Sequence, residues 1–162
     1  PRALDLLAGV REVAGRFSSA IRRGQAVRLL LAKNPAGWAA IFDLLEEDGP
    51  NCAPVVLSVN ARIADGLDTS WLWDVPFERL TGRQVVATGD RRLDLAVRLR
   101  YAGVACTVVD DPLAAVDEAI DGASEPPAGD QGAPRPTGQV APAVTVDFLG
   151  NYTAFAELRT RL

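Results

Sequence analysis

AVRLLLAKNPAGW, residues 26–38, decides the reading of the fold. Val27-Arg28-Leu29-Leu30-Leu31 is almost entirely apolar, the composition of a strand covered on both faces. Lys33-Asn34-Pro35-Ala36-Gly37 then breaks the run. A helix from Trp38 to Glu47 is predicted next, with Trp38, Ile41, Phe42 and Leu45 on one face. A doubly buried strand followed by an amphipathic helix is one unit of a parallel α/β sheet.

The same alternation recurs in both directions along the chain. Upstream, Val13–Ala20 and Ala26–Ala32 read as two strands around a turn at Arg23-Gly24. Residues 1–12, with a short apolar helix over Ala3–Val10, are expected to be the end of a preceding domain and its linker. Downstream, strands are predicted at Val55–Val59, Gln84–Ala87, Ala105–Val109 and Val144–Phe148. Helices are predicted from Asp90, as N-cap, to Tyr101, from Pro112 to near Ile120, and over Thr153–Leu162. Residues 122–140 are rich in Pro, Gly and small polar residues, which predicts a flexible surface insertion. The fold expected is a three-layer α/β/α domain over residues 13–162, Rossmann-like, with a mostly parallel sheet of five or six strands.

Composition narrows the function. The chain has 162 residues and a net charge of −4, without the basic face of a nucleic-acid-binding domain. No secretory leader pattern or membrane-length apolar run is present in it. Two cysteines, Cys52 and Cys106, suit a reducing compartment and read as inert. Histidine is absent from the sequence. A Ser-His-Asp or Cys-His pair therefore cannot be completed within this chain, and a histidine metal site is excluded. The GxxxxGK[ST] and GxGxxG phosphate motifs are missing too. An enzyme using this chain draws part of its machinery from elsewhere.

In a parallel sheet, ligands gather where the strands end. Three loops leave those ends with unusual content. Lys33-Asn34-Pro35 offers the only lysine of the chain, an amide and a helix N-terminus, which suits a carboxylate or phosphate; an ordinary turn with a solvated lysine explains it as well. Asn60–Asp74 holds Asp65, Asp68 and Asp74 with Trp71 and Trp73. Its plainer explanation is that Asp68 caps a short helix through Ser70, Asp74 is another cap, and the tryptophans fill core or an interface. Thr88-Gly89-Asp90-Arg91-Arg92 reads as an N-cap followed by a solvated arginine pair.

Four blocks in order carry a family resemblance. LLLAKNPAGW (29–38), NARIADGLDTSWLWDVPFE (60–78), TGDRRLDLAVRLRYAGV (88–104) and NYTAFAELR (151–159) resemble the C-terminal domain of the MurT family, Mur-ligase-like subunits of lipid II isoglutaminyl synthase. Gly15-Arg16 is similar to the Gly-Arg that links the central and C-terminal domains of Mur ligases. The resemblance spans about residues 10–120 and 143–160, and the insertion has no counterpart in it.

The resemblance implies a division of labour. ATP, with Mg, is bound mainly by a central domain that this chain lacks, and activates the α-carboxylate of D-glutamate in lipid II as an acyl phosphate. A GatD-type glutaminase partner supplies ammonia, which displaces phosphate to give D-isoglutamine. The family places the third member of the glutaminase triad on the Asp of DTSW, Asp68 here. Lys33, Asn34, Asn60 and Asp65 would line the nucleotide and substrate cleft, and Trp71, Trp73 and Asp74 the partner interface. The setting implied is the cytoplasmic face of the membrane. The isolated domain is expected to be inactive and to need no cofactor of its own. Two other readings remain open: a non-catalytic module that only docks a glutaminase, and a flavodoxin-like small-molecule binder.

Overall fold

The computed structural model describes residues 12–13, 17–47, 53–124 and 144–162. The predicted helix over Ala3–Val10, Cys52 and nearly all of the predicted insertion lie outside the described residues. Among these residues, seven strands form one sheet in the order β1-β2-β3-β7-β4-β5-β6. Their ranges are β1 Glu12–Val13, β2 Phe17–Arg22, β3 Gln25–Leu31, β4 Val55–Ser58, β5 Val85–Thr88, β6 Thr107–Val108 and β7 Thr145–Gly150. Strands β3, β7, β4, β5 and β6 run parallel. β1 and β2 add an antiparallel edge, one strand more than the sequence predicts. Glu12, at the expected domain boundary, pairs with Ser18.

The β2–β3 hairpin follows from its turn. Arg23 and Gly24 both have positive φ, 50° and 78°, the backbone that lets a two-residue loop match the twist of paired strands. Arg22 and Gln25 face each other across it. Strands β4 (VVLS) and β5 (VVAT) are buried at every position, as central parallel strands require.

Among the described residues, four helices and two 3-10 turns cover the sheet. Helices α1 (Pro35–Glu47) and α2 (Arg92–Tyr101), with the turns Ser70–Asp74 and Phe77–Leu80, pack on one face. Trp38, Phe42, Leu45, Leu72, Phe77, Leu95 and Leu99 make that layer's core. Helices α3 (Pro112–Ser124) and α4 (Tyr152–Arg161) cover the other face through Val116, Ile120, Phe155 and Leu158. The three-layer architecture is as predicted, and the differences are local. α1 begins at Pro35, three residues before the predicted start, because Asn34 Oδ1 accepts the Gly37 N–H at 2.9 Å and proline needs no N–H partner at a helix's first position. α3 runs on to Ser124, so residues 122–124 are helical.

One predicted cap is replaced. Asp90 does not cap α2, whose first residue is Arg92 and whose flanking Arg91 makes no side-chain cap bond. The Asp90 carboxylate instead takes the Arg62 guanidinium at 2.9 and 3.3 Å. An arginine fork is a stronger partner for a carboxylate than a lone amide. Asp111 does cap α3, accepting the Ala114 N–H at 3.0 Å. Among the described residues, no helix is long and apolar enough to cross a membrane.

Candidate functional site

The loops leaving β3, β4, β5 and β7 meet at one end of the sheet, because β7 inserts between β3 and β4. Asn151 directly follows β7, and Asn60 lies two residues beyond β4. The two asparagines clasp each other. The Asn60 N–H donates to Asn151 Oδ1 at 3.1 Å, and Asn151 Nδ2 donates to the Asn60 carbonyl at 2.6 Å. Asn60 Oδ1 accepts the Asp90 N–H at 2.9 Å, and its Nδ2 reaches Thr153 Oγ1 at 3.1 Å. Asp65 closes the cluster from outside. One carboxylate oxygen accepts the Thr153 N–H at 2.9 Å, and the other accepts the Thr153 hydroxyl. Asn60 and Asn151 are 1% and 3% exposed.

Gly89 completes this polar knot. Its φ is +92°, and a Cβ there would stand 2.8 Å from the Val59 carbonyl and 2.9 Å from both Asn60 Oδ1 and Ser58 Oγ. A side chain is excluded on both counts.

Of the four residues expected in a nucleotide or substrate cleft, three are therefore engaged by the fold. Asn60 and Asp65 belong to the knot, and Asn34 caps α1. Lys33 differs: it is exposed, and its ammonium lies 4.9 Å from the centre of the Tyr152 ring. A cation resting on an aromatic face stays available to an anion. The donor set thus fits one contact to a phosphate or carboxylate, and does not by itself make a nucleotide site. Among the described residues, no group of three or more His, Cys, Asp or Glu could hold a metal ion.

The second half of the Asn60–Asp74 loop is organised otherwise. Asp68 is exposed, and its Oδ1 accepts the Ser70 N–H at 2.8 Å. That bond holds its carboxyl below the usual carboxylate range, so Asp68 is ionised at neutral pH. The turn that follows is pinned from below. Leu72 is buried, and the half-buried Trp71 packs on Trp38 with ring centres 6.2 Å apart. Trp73 points outward, 55% exposed, and meets the Tyr101 ring edge-on at 5.4 Å. Asp74 is exposed as well. The expected grouping thus divides: Trp71 is core, while Trp73 and Asp74 face solvent.

A shallow groove of about 280 Å³ lies between this turn and α2, lined by Thr69, Ser70, Leu72, Trp73, Arg91, Asp94 and Val97. Beside it, Leu93, Val97 and Tyr101 are 66%, 51% and 76% exposed at four-residue spacing, one face of α2. The arginine pair is not simply solvated: Arg91 pairs with Asp94 at 2.6 Å and Arg92 with Asp110 at 2.8 Å. Burial pushes the Cys106 thiol up, consistent with an inert cysteine.

Sequence reasoning missed Asn151, Thr153 and Arg98. Asn151 carried a signal, since a polar residue directly after a doubly buried strand must find a partner, and Thr153, in the first turn of α4, did not. Arg98 carried none. Its burial depends on two turns that approach α2 only in the folded chain.

The fold and its strand-end loops define a class: a mostly parallel α/β domain with a buried polar knot and an exposed, ionised aspartate side by side in the loop after β4. Comparison with known proteins gives the family. The MurT ligase C-terminal family matches residues 31–131, and the chain belongs to it. MurT, a subunit of lipid II isoglutaminyl synthase (glutamine-hydrolyzing) from Staphylococcus aureus strain COL, is 40% identical over 83 residues. The MurT of Streptococcus pneumoniae strain R6 is 37% identical over 78 residues. These matches cover 49% and 46% of this chain and only 18% and 17% of the relatives. Folylpolyglutamate synthase from Thermotoga maritima superposes with a TM-score of 0.55 at 18% identity, over 93% of this chain and 31% of that one. That likeness concerns the fold alone.

Proposed function

We propose that this domain is the C-terminal part of the synthetase subunit of a glutamine- and ATP-dependent amidotransferase, which converts the D-glutamate of lipid II to D-isoglutamine. In this reading it docks a GatD-type glutaminase and lends it Asp68 as the third member of the triad. The work takes place at the cytoplasmic face of the membrane. ATP, with Mg, supplies the phosphoryl group that activates the substrate carboxylate. It is bound mainly by a central domain of the longer subunit, and Lys33 reaches that cleft from this side.

The observation that carries the proposal is the state of Asp68 in a chain without histidine. Its carboxylate is ionised, exposed and steadied at one oxygen by the Ser70 N–H. A carboxylate so placed has no imidazole of its own to orient and is open to a partner's. Bound to an imidazole N–H, it would fix the tautomer and stabilise the imidazolium formed when the cysteine nucleophile loses its proton. The neighbouring Trp73 and the exposed face of α2 provide apolar contact area for the docked partner.

A docking-only role is favoured by one observation, that the Ser70 N–H bond already gives Asp68 a local structural task. Asp68→Asn in the full-length subunit, assembled with its glutaminase, separates the two. Asparagine keeps both the Ser70 bond and the side-chain size, so the complex should form. Glutamine hydrolysis should fall steeply, by up to about 10⁴ on the serine-protease precedent. Amidation should return when an ammonium salt replaces glutamine. Unchanged glutamine hydrolysis would leave docking alone.

A further inference from the structure

Arg98, on α2, is only 7% exposed. Its Nη2 donates to the Val75 carbonyl at 2.8 Å and to Glu78 Oε1 at 2.9 Å. The guanidinium carbon stands 5.8 Å from the centre of the Trp73 ring and 5.6 Å from that of Phe77. One side chain thus spans both 3-10 turns. Among the described residues, every hydrogen bond crossing from residues 69–80 to α2 comes from Arg98.

The arrangement is a poor device for stability alone. The Nε of Arg98 is buried without a hydrogen-bond partner, and its counter-ion Glu78 is 56% exposed. Burying a charge with an unmet donor is costly, and an apolar side chain of similar volume would fill the space between two rings at less cost. What an apolar residue could not do is grip the Val75 carbonyl. Val75 ends the turn that begins beside Asp68: the Val75 N–H donates to the Leu72 carbonyl, the Leu72 N–H to that of Thr69, and the Ser70 N–H to Asp68 itself.

We propose that Arg98 is a positioning residue for Asp68. It clamps the far end of the turn to α2, which sets where the carboxylate stands relative to the groove and to Trp73. The inference rests on the triad reading of Asp68, and it adds that catalysis of glutamine hydrolysis depends on a side chain that touches neither the partner nor the substrate. Geometry errors of this kind are felt in turnover more than in binding.

The test uses the full-length subunit assembled with its glutaminase. Arg98→Met should leave assembly and ammonium-driven amidation at wild-type level and lower kcat for glutamine hydrolysis about tenfold, with KM for glutamine little changed. Arg98→Lys, which keeps a donor for the Val75 carbonyl, should recover part of the loss. Unchanged glutamine turnover in Arg98→Met overturns the proposal. So does a parallel fall of the ammonium-driven reaction, which marks a purely structural role, or loss of assembly, which marks a docking role. If Arg98→Met does not fold, Arg98→Lys decides: it keeps a single donor in place of the fork that spans Val75 and Glu78 and should lower glutamine turnover a few-fold, and no change overturns the proposal. Asp68→Asn run alongside shows which idea has failed. If it too leaves glutamine hydrolysis intact, the triad reading is wrong; if it alone is impaired, only the role of Arg98 is.

Discussion

The loop that leaves β4 has two halves that use similar residues for opposite ends. Asn60 and Asp65, in the first half, spend their polar atoms on Asn151, Thr153 and the Asp90 N–H. Asp68 and Trp73, in the second, are exposed, and Asp68 is held by one backbone N–H. A carboxylate or amide whose bonds are made inside the fold steadies the fold. One steadied on a single side, over a firmly packed turn, is presented. The difference lies in burial and partners, not in residue type.

The comparison breaks first at Gly89. Gly89→Ala forces a Cβ against three oxygens at a φ of +92° and should cost about 3 kcal/mol of folding stability through strain and lost bonds in the knot. Chemical denaturation would show it, and a loss no larger than that of a surface substitution would mean the knot gives way easily. Asn60→Ala comes next. It strands the part-buried Asp90 N–H and removes the amide donor to the Thr153 hydroxyl, and should cost about 2 kcal/mol. Asp68→Asn, on the presented side, should leave the unfolding midpoint where it is, because the Ser70 bond survives. A midpoint falling as far as that of Asn60→Ala would erase the distinction between the halves.

A small, pH-dependent effect is expected on the α3 side of the molecule. Asp117 is held below the usual carboxylate range by the hydrogen-bonded Arg22 guanidinium, 2.7 Å away. A carboxyl whose pKa is lowered on folding stabilises the fold above its unfolded pKa, and that contribution fades as pH falls through the lowered value. Asp117→Asn should therefore unfold slightly more easily than the parent at neutral pH. The two midpoints should converge in acid, and a gap persisting at the acid end would assign the effect to packing.

The chain's local chemistry made much of this legible. Apolar runs marked β3, β4 and β5, Pro112 marked the start of α3, and the absence of histidine excluded a self-contained triad. The bond from the Ser70 N–H to Asp68 was readable from a spacing of two residues, although Thr69, not Asp68, flanks the turn. Elsewhere the local signal misled. Asp90 has the spacing of an N-cap, but Arg62, 28 residues away, takes its carboxylate. The family resemblance assigns Asn34, Asn60 and Asp65 to a cleft; within this fold Asn34 caps α1, and Asn60 and Asp65 bond within the knot.

Hydrophobic period, turn residues and composition are properties of neighbouring residues, so the sequence by itself determined the α/β class, the order of most elements and the exclusion of a histidine-based triad within this chain. Which polar side chains are consumed and which are presented depends on partners far away in the chain. Asn60 meets Asn151 across 91 residues, and only the insertion of β7 beside β4 brings them together. Arg98 finds Val75 and Glu78 only once two 3-10 turns have packed on the same face as α2. Those outcomes were left to the tertiary structure, because a hydrogen bond depends on distance in space, and separation along the chain says little about it.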